Sequence, residues 1–347
     1  MKKSKYILVS LIGVLLVCFS LRNMQGEIAI ELDAKSLEKE TITFILGDDI
    51  DVKNPFYYNA GLYFTENEKD KTDKVVNGCY NLLEVQKYLL KNKTANNRPW
   101  GKINLVSHGN QYVGLSAKVT PESRRADPEE ILNNVEAGNL INIPSSIIDD
   151  KTEIELHGCG LGNNEKLLSA IEVAFSDKTA CPTVKASKYF EYFKEENIDQ
   201  RKISRYDADF KMLSYKMGYK PEDPILAKKF ANKFPNDDID WASAIQNESG
   251  EKAGDVFHFS FDVPLKWIFV YDTEEETPKL KTKKKRMDWA KQNPKIMSKL
   301  NDLEIPADDF NWWMRNISVV NEDGTESPAL WVKGYSTVMC VLELREL

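Results

Sequence analysis

The chain has little cysteine. Five residues in 347 are far too few for a domain held together by disulfides. It has no excess of positive charge either: 47 basic residues face 54 acidic ones, a formal charge of −7, which argues against a nucleic-acid partner. Beyond its first two dozen residues it has no apolar run approaching membrane length, and no internal repeat. It lacks a Gly-x-Ser-x-Gly elbow, a Walker loop and a dinucleotide fingerprint, which removes the usual α/β alternatives. It also lacks Cys-x-x-Cys and His-Glu-x-x-His, so no metal or other cofactor is expected. What remains is 42% hydrophobic and 29% charged. That is the profile of a packed globular chain, and neither a disordered, a collagen-like nor a multi-span membrane one. The length suits two domains of ordinary size or one large one with an insertion.

The first 26 residues read as a signal peptide. Lys2, Lys3 and Lys5 precede an apolar run from Tyr6 to Phe19, too short for a comfortable span of roughly 20 residues. Cleavage sites offer themselves at Cys18-Phe19-Ser20 and at Met24-Gln25-Gly26. A lipid anchor at Cys18 is the alternative, with Val17 a poor residue before a lipidated cysteine; an uncleaved anchor is the third. The expectation is an exported protein, periplasmic, outer-surface or secreted, with no transmembrane domain in the mature chain. Removing four basic and no acidic residues takes the charge from −7 to −11. Bridges Cys79–Cys181 and Cys181–Cys340 are both conceivable outside the cytoplasm.

Strand and helix patterns alternate over the first half. Thr41–Leu46 reads as a buried strand ending at Gly47-Asp48-Asp49. Apolar positions from Val75 to Leu90 recur at helical spacing. Ile103–Val106 is a second strand, stopping at Ser107-His108-Gly109. Asp127-Pro128 gives an N-cap with proline at the first helical position, and Gly138 closes that helix. Glu153–Leu156 is a third strand, stopping at His157-Gly158-Cys159-Gly160, and a helix over 165–175 follows. A fourth strand near Thr183–Ala186 leads to Ser187. Such alternation implies an α/β core with a parallel sheet and helices on both faces. We place that core at 27–200 and an α+β extension or smaller second domain at 201–347. In the latter, Lys202–Asn247 reads as helical in pieces, and Val256–Phe261 and Trp267–Tyr271 as strand. Ile317–Val320 and Leu330–Val332 read as a hairpin around Glu322-Asp323-Gly324, with Tyr335–Leu344 another strand. The charge run Glu274–Glu276 followed by Lys279, Lys281 and Lys283–Arg286 reads as a solvated loop, with a proteolytic processing site or an anion patch as the sharper alternatives.

Two strand ends carry reactive side chains beside glycine. In open parallel sheets the carboxyl ends of neighbouring strands line the functional crevice, so adjacency of these strands brings the His108 imidazole and the Cys159 thiol to one mouth. An imidazole and a helix N-terminus, capped by Asn163 or Asn164, would favour the thiolate. Flanking glycines let backbone N–H groups approach a substrate carbonyl.

Leu105-Val-Ser-His-Gly109 followed by Leu156-His-Gly-Cys-Gly-Leu161, with Cys159 coming 51 positions after His108, resembles the caspase-like (caspase–hemoglobinase, clan CD) cysteine peptidases. That group includes caspases, clostripain, gingipains, legumain and the self-processing protease domain of large bacterial toxins. The resemblance covers about 40–195. It implies a caspase-like, mostly parallel sheet flanked by helices, and an endopeptidase acting on peptide or protein substrates. In that reading His108 is the general acid/base, Cys159 the nucleophile, and the N–H groups of Gly109 and Cys159 the oxyanion hole. The arginine-specific members often carry an acidic residue two positions before the nucleophile. Here that position is His157, so a basic P1 preference is not implied. Asp48, Asp49, His157 and Ser187 are the candidate pocket residues. The second reading is a non-catalytic exported scaffold that retains the sheet.

Overall fold

The computed structural model describes residues 39–50, 55–67, 69–177, 179–197, 202–250, 254–321 and 323–346. The segment read as a signal peptide, with Cys18, and the turn residue Glu322 lie outside the described residues. Among the described residues, no helix is long and apolar enough to cross a membrane.

The first sheet contains β1 (Thr41–Ile45), β2 (Lys74–Asn77), β3 (Lys102–Asn110), β4 (Gly114–Leu115), β5 (Glu153–Cys159) and β6 (Thr183–Ala186). Its order is β2-β1-β3-β5-β6, parallel throughout, with β4 turning back antiparallel on β3. Alternation along the strands gives each face its own partner. Ile103 and Leu105 of β3 and Ile154 and Leu156 of β5 face the core under α2 (Leu82–Lys91), α3 (Pro128–Glu136) and α4 (Glu165–Ala174). Val106 faces the opposite way, onto α1 (Phe56–Glu66) and the aromatic cluster of Phe56, Tyr63, Phe64 and Phe193. Helices thus flank both faces. Asp127 caps α3 through the Glu130 N–H, as the Asp-Pro signal indicates. The helical spacing read from Val75 onward splits: Lys74–Asn77 is an edge strand, Gly78 follows at φ +86°, and the helix starts at Leu82.

The second sheet is antiparallel and curls over the rim of the first. It begins with β7 (Phe190–Asn197), inside the stretch assigned from sequence to the core, and continues with β8 (Lys202–Lys216), β9 (Val256–Val270), β10 (Asn311–Val320) and β11 (Glu326–Glu346). The 21-residue β11 is its spine, pairing with β10, β8 and β9. One face packs on α7 (Lys283–Gln292), α8 (Pro294–Leu303) and the first sheet's rim. The other packs on α5 (Asp223–Lys233) and α6 (Trp241–Gln246). Lys202–Lys216 is strand rather than helix. Its alternation of Tyr206, Ala208, Phe210 and Met212 with Asp207, Asp209 and Lys211 is a period of two that polar composition hides. The charge run ends in α7 instead of a loop, with Thr282 as N-cap. Cys79, Cys159, Cys181 and Cys340 are all free, so neither conceivable bridge forms.

Replacing the fully buried Leu105 of β3 by alanine is expected to cost about 2–5 kcal/mol. The same change at the exposed Leu132 of α3 should cost under about 0.5 kcal/mol. Urea midpoints of the two variants test this.

Candidate active site

β3 and β5 are hydrogen-bonded neighbours, with Val106 opposite His157 and Asn110 opposite Cys159. Four steps on β3 therefore match two on β5. This irregularity bulges β3 at Ser107-His108-Gly109. The bulge is sterically tight. A Cβ on Gly158 would meet the Ser107 carbonyl oxygen at 2.5 Å, and one on Gly109 would meet the Gly114 oxygen at 2.5 Å. Only glycine fits either place.

His108 shares the strand face of Val106 and turns toward α1. Its ring stacks on Phe56, centroids 4.5 Å apart, and meets Tyr57 edge-on at 4.8 Å. The Tyr57 hydroxyl oxygen accepts the His108 backbone N–H at 3.0 Å. Enclosure by these rings disfavours the imidazolium and pulls the His108 pKa below its usual 6.5, with Asp49 opposing in part. Asp49 itself caps α1, accepting the N–H groups of Tyr57 and Tyr58 at 2.9 Å each. Asp48 bonds the Tyr80 hydroxyl. Both aspartates sit at the end of β1 engaged in local structure, and Asp49 is the one whose charge reaches His108.

Cys159 lies on the same nominal face as His157, and its side chain packs against the core of the second sheet. Burial there, reinforced by the negative charge of Glu191, pushes its thiol up to about 12, with the Glu191 backbone N–H opposing. The expectation of a favoured thiolate is not met in this conformation. Cys159 is half-buried, and among the described residues no hydrogen bond joins its thiol to His108. The helix it precedes is capped by Asn164, whose side chain accepts the Leu167 N–H, but a 3-10 turn over Leu161–Asn163 intervenes. Gly160, at φ +65°, donates its N–H to Tyr189 just before β7, which seats the second sheet on the end of the cysteine strand.

His157 is fully buried. Its Nδ1 lies 3.1 Å from Glu191 Oε1 and its Nε2 3.2 Å from Asn104 Oδ1. Glu191 Oε2 accepts the Gly158 N–H at 2.8 Å, and Asn104 donates to Thr43 Oγ1 at 2.9 Å. With no solvent-facing surface, His157 belongs to a structural seam. Ser187 Oγ accepts the Tyr189 N–H at 3.1 Å and reaches Asp207 at 3.5 Å. Sequence reasoning passed over Phe56, Tyr57 and Glu191. The aromatic run Phe56-Tyr57-Tyr58 was the available signal for the first two; Glu191 carries none.

Because His108 is held neutral in the fold, the unfolded chain binds its proton more readily. Stability from this site is present above pH 6.5 and is lost as the pH falls below that value. His108→Phe, which keeps the ring stack, should flatten the fall in urea midpoint between pH 7 and pH 5 relative to the wild-type chain. Compared with known proteins, the chain matches no protein-family profile, no characterised protein and no solved structure.

Proposed function

We propose that this chain is an exported caspase-like cysteine endopeptidase, with Cys159 as nucleophile and His108 as general acid/base, here in a resting state. The single observation that supports it most is the parallel pairing of β3 with β5, whose carboxyl ends carry these two residues beside glycine. In the reaction, the Cys159 sulfur gives up its proton to His108 and attacks the peptide carbonyl carbon. The resulting oxyanion takes hydrogen bonds from the N–H groups of Gly109 and Cys159. Collapse breaks the C–N bond as His108 returns the proton to the amine. Water, deprotonated by His108, then hydrolyses the thioester. Acting this way requires the second-sheet packing against Cys159 to shift, so that its raised thiol pKa falls. Asp48, Asp49 and Ser187 are the candidate lining of the pocket.

The second reading, a non-catalytic exported scaffold, has one observation in its favour: the same raised thiol, since a structural cysteine is expected to be buried and inert.

The two separate in a profiled peptide library. Cys159→Ala should abolish cleavage and His108→Ala should lower it by about 10²–10⁴-fold, whereas Cys181→Ala should leave it unchanged. Iodoacetamide should label the exposed Cys181 first and Cys159 slowly. Phe210→Ala, which thins the packing beside Gly160, should speed both Cys159 labelling and cleavage. If wild type and Phe210→Ala both cleave nothing across the library, the scaffold reading stands instead.

A further inference from the structure

A cleft of about 720 Å³ opens between the two sheets, bounded by three separate walls. The segment before α3 contributes Arg124 and Arg125. The exposed face of α8 contributes Lys295 and Lys299. Strands β9 and β11 contribute Lys266 and Lys333, directly opposite one another in register. Lys266 and Lys333 turn their ammonium groups onto Trp331, outside that lining, so four cations stand against Asp127, Glu129 and Asp302, an excess of one positive charge in a chain whose overall charge is −7. Two of the acids are already engaged: Asp127 caps α3, and Asp302 pairs with Lys166. Arg124 is held by Glu130.

Among the described residues, Arg125, Lys266, Lys295, Lys299 and Lys333 have no carboxylate within ion-pair distance. Lys266 and Lys333 rest their ammonium groups over Trp331, at 5.5 and 4.1 Å from the ring centroid. Arg125 is the least expected of the five. Its guanidinium is largely enclosed, donating to the Leu115 and Gly114 carbonyl oxygens at 3.2 and 3.3 Å, and burial pulls its pKa down. The nearby Asp127 carboxylate opposes that fall in part.

Between the cations the floor is apolar: Pro264, Leu265 and Trp267, with Tyr112 and Tyr335 at its sides. Charges spread over two walls and separated by aromatic surface do not converge on one small ion. They suit an extended ligand that alternates carboxylates with apolar groups. We propose that this cleft binds an acidic polypeptide segment bearing aromatic or aliphatic side chains between its carboxylates. The proposal stands independently of the peptidase reading, because it needs no reaction at Cys159.

The test is fluorescence anisotropy on the full chain with a labelled peptide of about ten residues alternating glutamate and phenylalanine, long enough to cross the cleft. The expected result is saturable binding that weakens as salt rises from roughly 0.05 to 0.5 M. Lys295→Glu with Lys299→Glu should weaken it at least tenfold while leaving the thermal midpoint unchanged, since neither lysine has an ion pair to lose. Arg125→Met should weaken it too, and Cys159→Ala should bind as wild type. Absence of binding, unchanged affinity in the double variant, or equal affinity for the glutamine–phenylalanine peptide would overturn the proposal. So would displacement by inorganic triphosphate as effective as by the unlabelled peptide, which would leave a plain anion site.

Discussion

One buried carboxylate fixes how the two sheets sit on each other. Glu191, at the start of β7, is 3% exposed, and both its oxygens are held by β5, through the His157 ring and the Gly158 N–H. Arg205 of β8 stands 3.9 Å away. Asn104 and Thr43 extend the seam to β3 and β1, so it crosses from one sheet to the other. An apolar interface alone is non-directional and tolerates sliding. A buried charge does not: displacement by an ångström or two strips its partners, and an uncompensated buried charge costs about 3–5 kcal/mol. The surrounding rings of Phe64 and Phe193 exclude the water that would soften that penalty.

The anchor also sets the state of the thiol beside it. Holding Gly158 to Glu191 brings the next residue, Cys159, under the second sheet, where burial and the same carboxylate both oppose ionisation. On the neighbouring strand, the rings of α1 oppose charge on His108. Both members of the candidate pair are thereby neutral in this conformation, thiol and imidazole. The cause lies in the packing on either side of the sheet edge rather than in any direct contact between them. The contact that stabilises the interface and the condition that silences the sulfur are one arrangement.

Much of the first sheet was legible because its signals are local. Thr41–Ile45, Glu153–Cys159 and Thr183–Ala186 are short β-branched or apolar runs bounded by glycine or loop residues, and Asp127-Pro128 carries its own capping chemistry. The strand ends that bear His108 and Cys159 were legible for the same reason. What escaped was set by long-range packing. β8 is polar enough to pass for surface helix, and only its pairing with β7 and β11 makes its alternation count. Val75 and Val76 fit the spacing of the following helix until Gly78 and the edge of β1 claim them for a strand. The ionisation of Cys159 lay beyond any local pattern, because the residues that cover it come from positions 190 to 340.

The same division explains how a chain without a matching family profile or characterised relative still carries a readable pair of motifs. Most core positions accept any side chain of suitable volume and hydrophobicity, so Ile103, Leu105, Ile154 and Leu156 constrain the pattern but not the letters. Gly109 and Gly158 have no such latitude. Each lies 2.5 Å, measured from its virtual Cβ, from a backbone oxygen that cannot withdraw without unpairing a strand. Steric exclusion writes itself into the sequence one residue at a time, and beside these two glycines it leaves His108 and Cys159 at the ends of adjacent strands. A handful of fixed letters identifies a strand-end geometry, while the second sheet decides whether the sulfur held there is free to react.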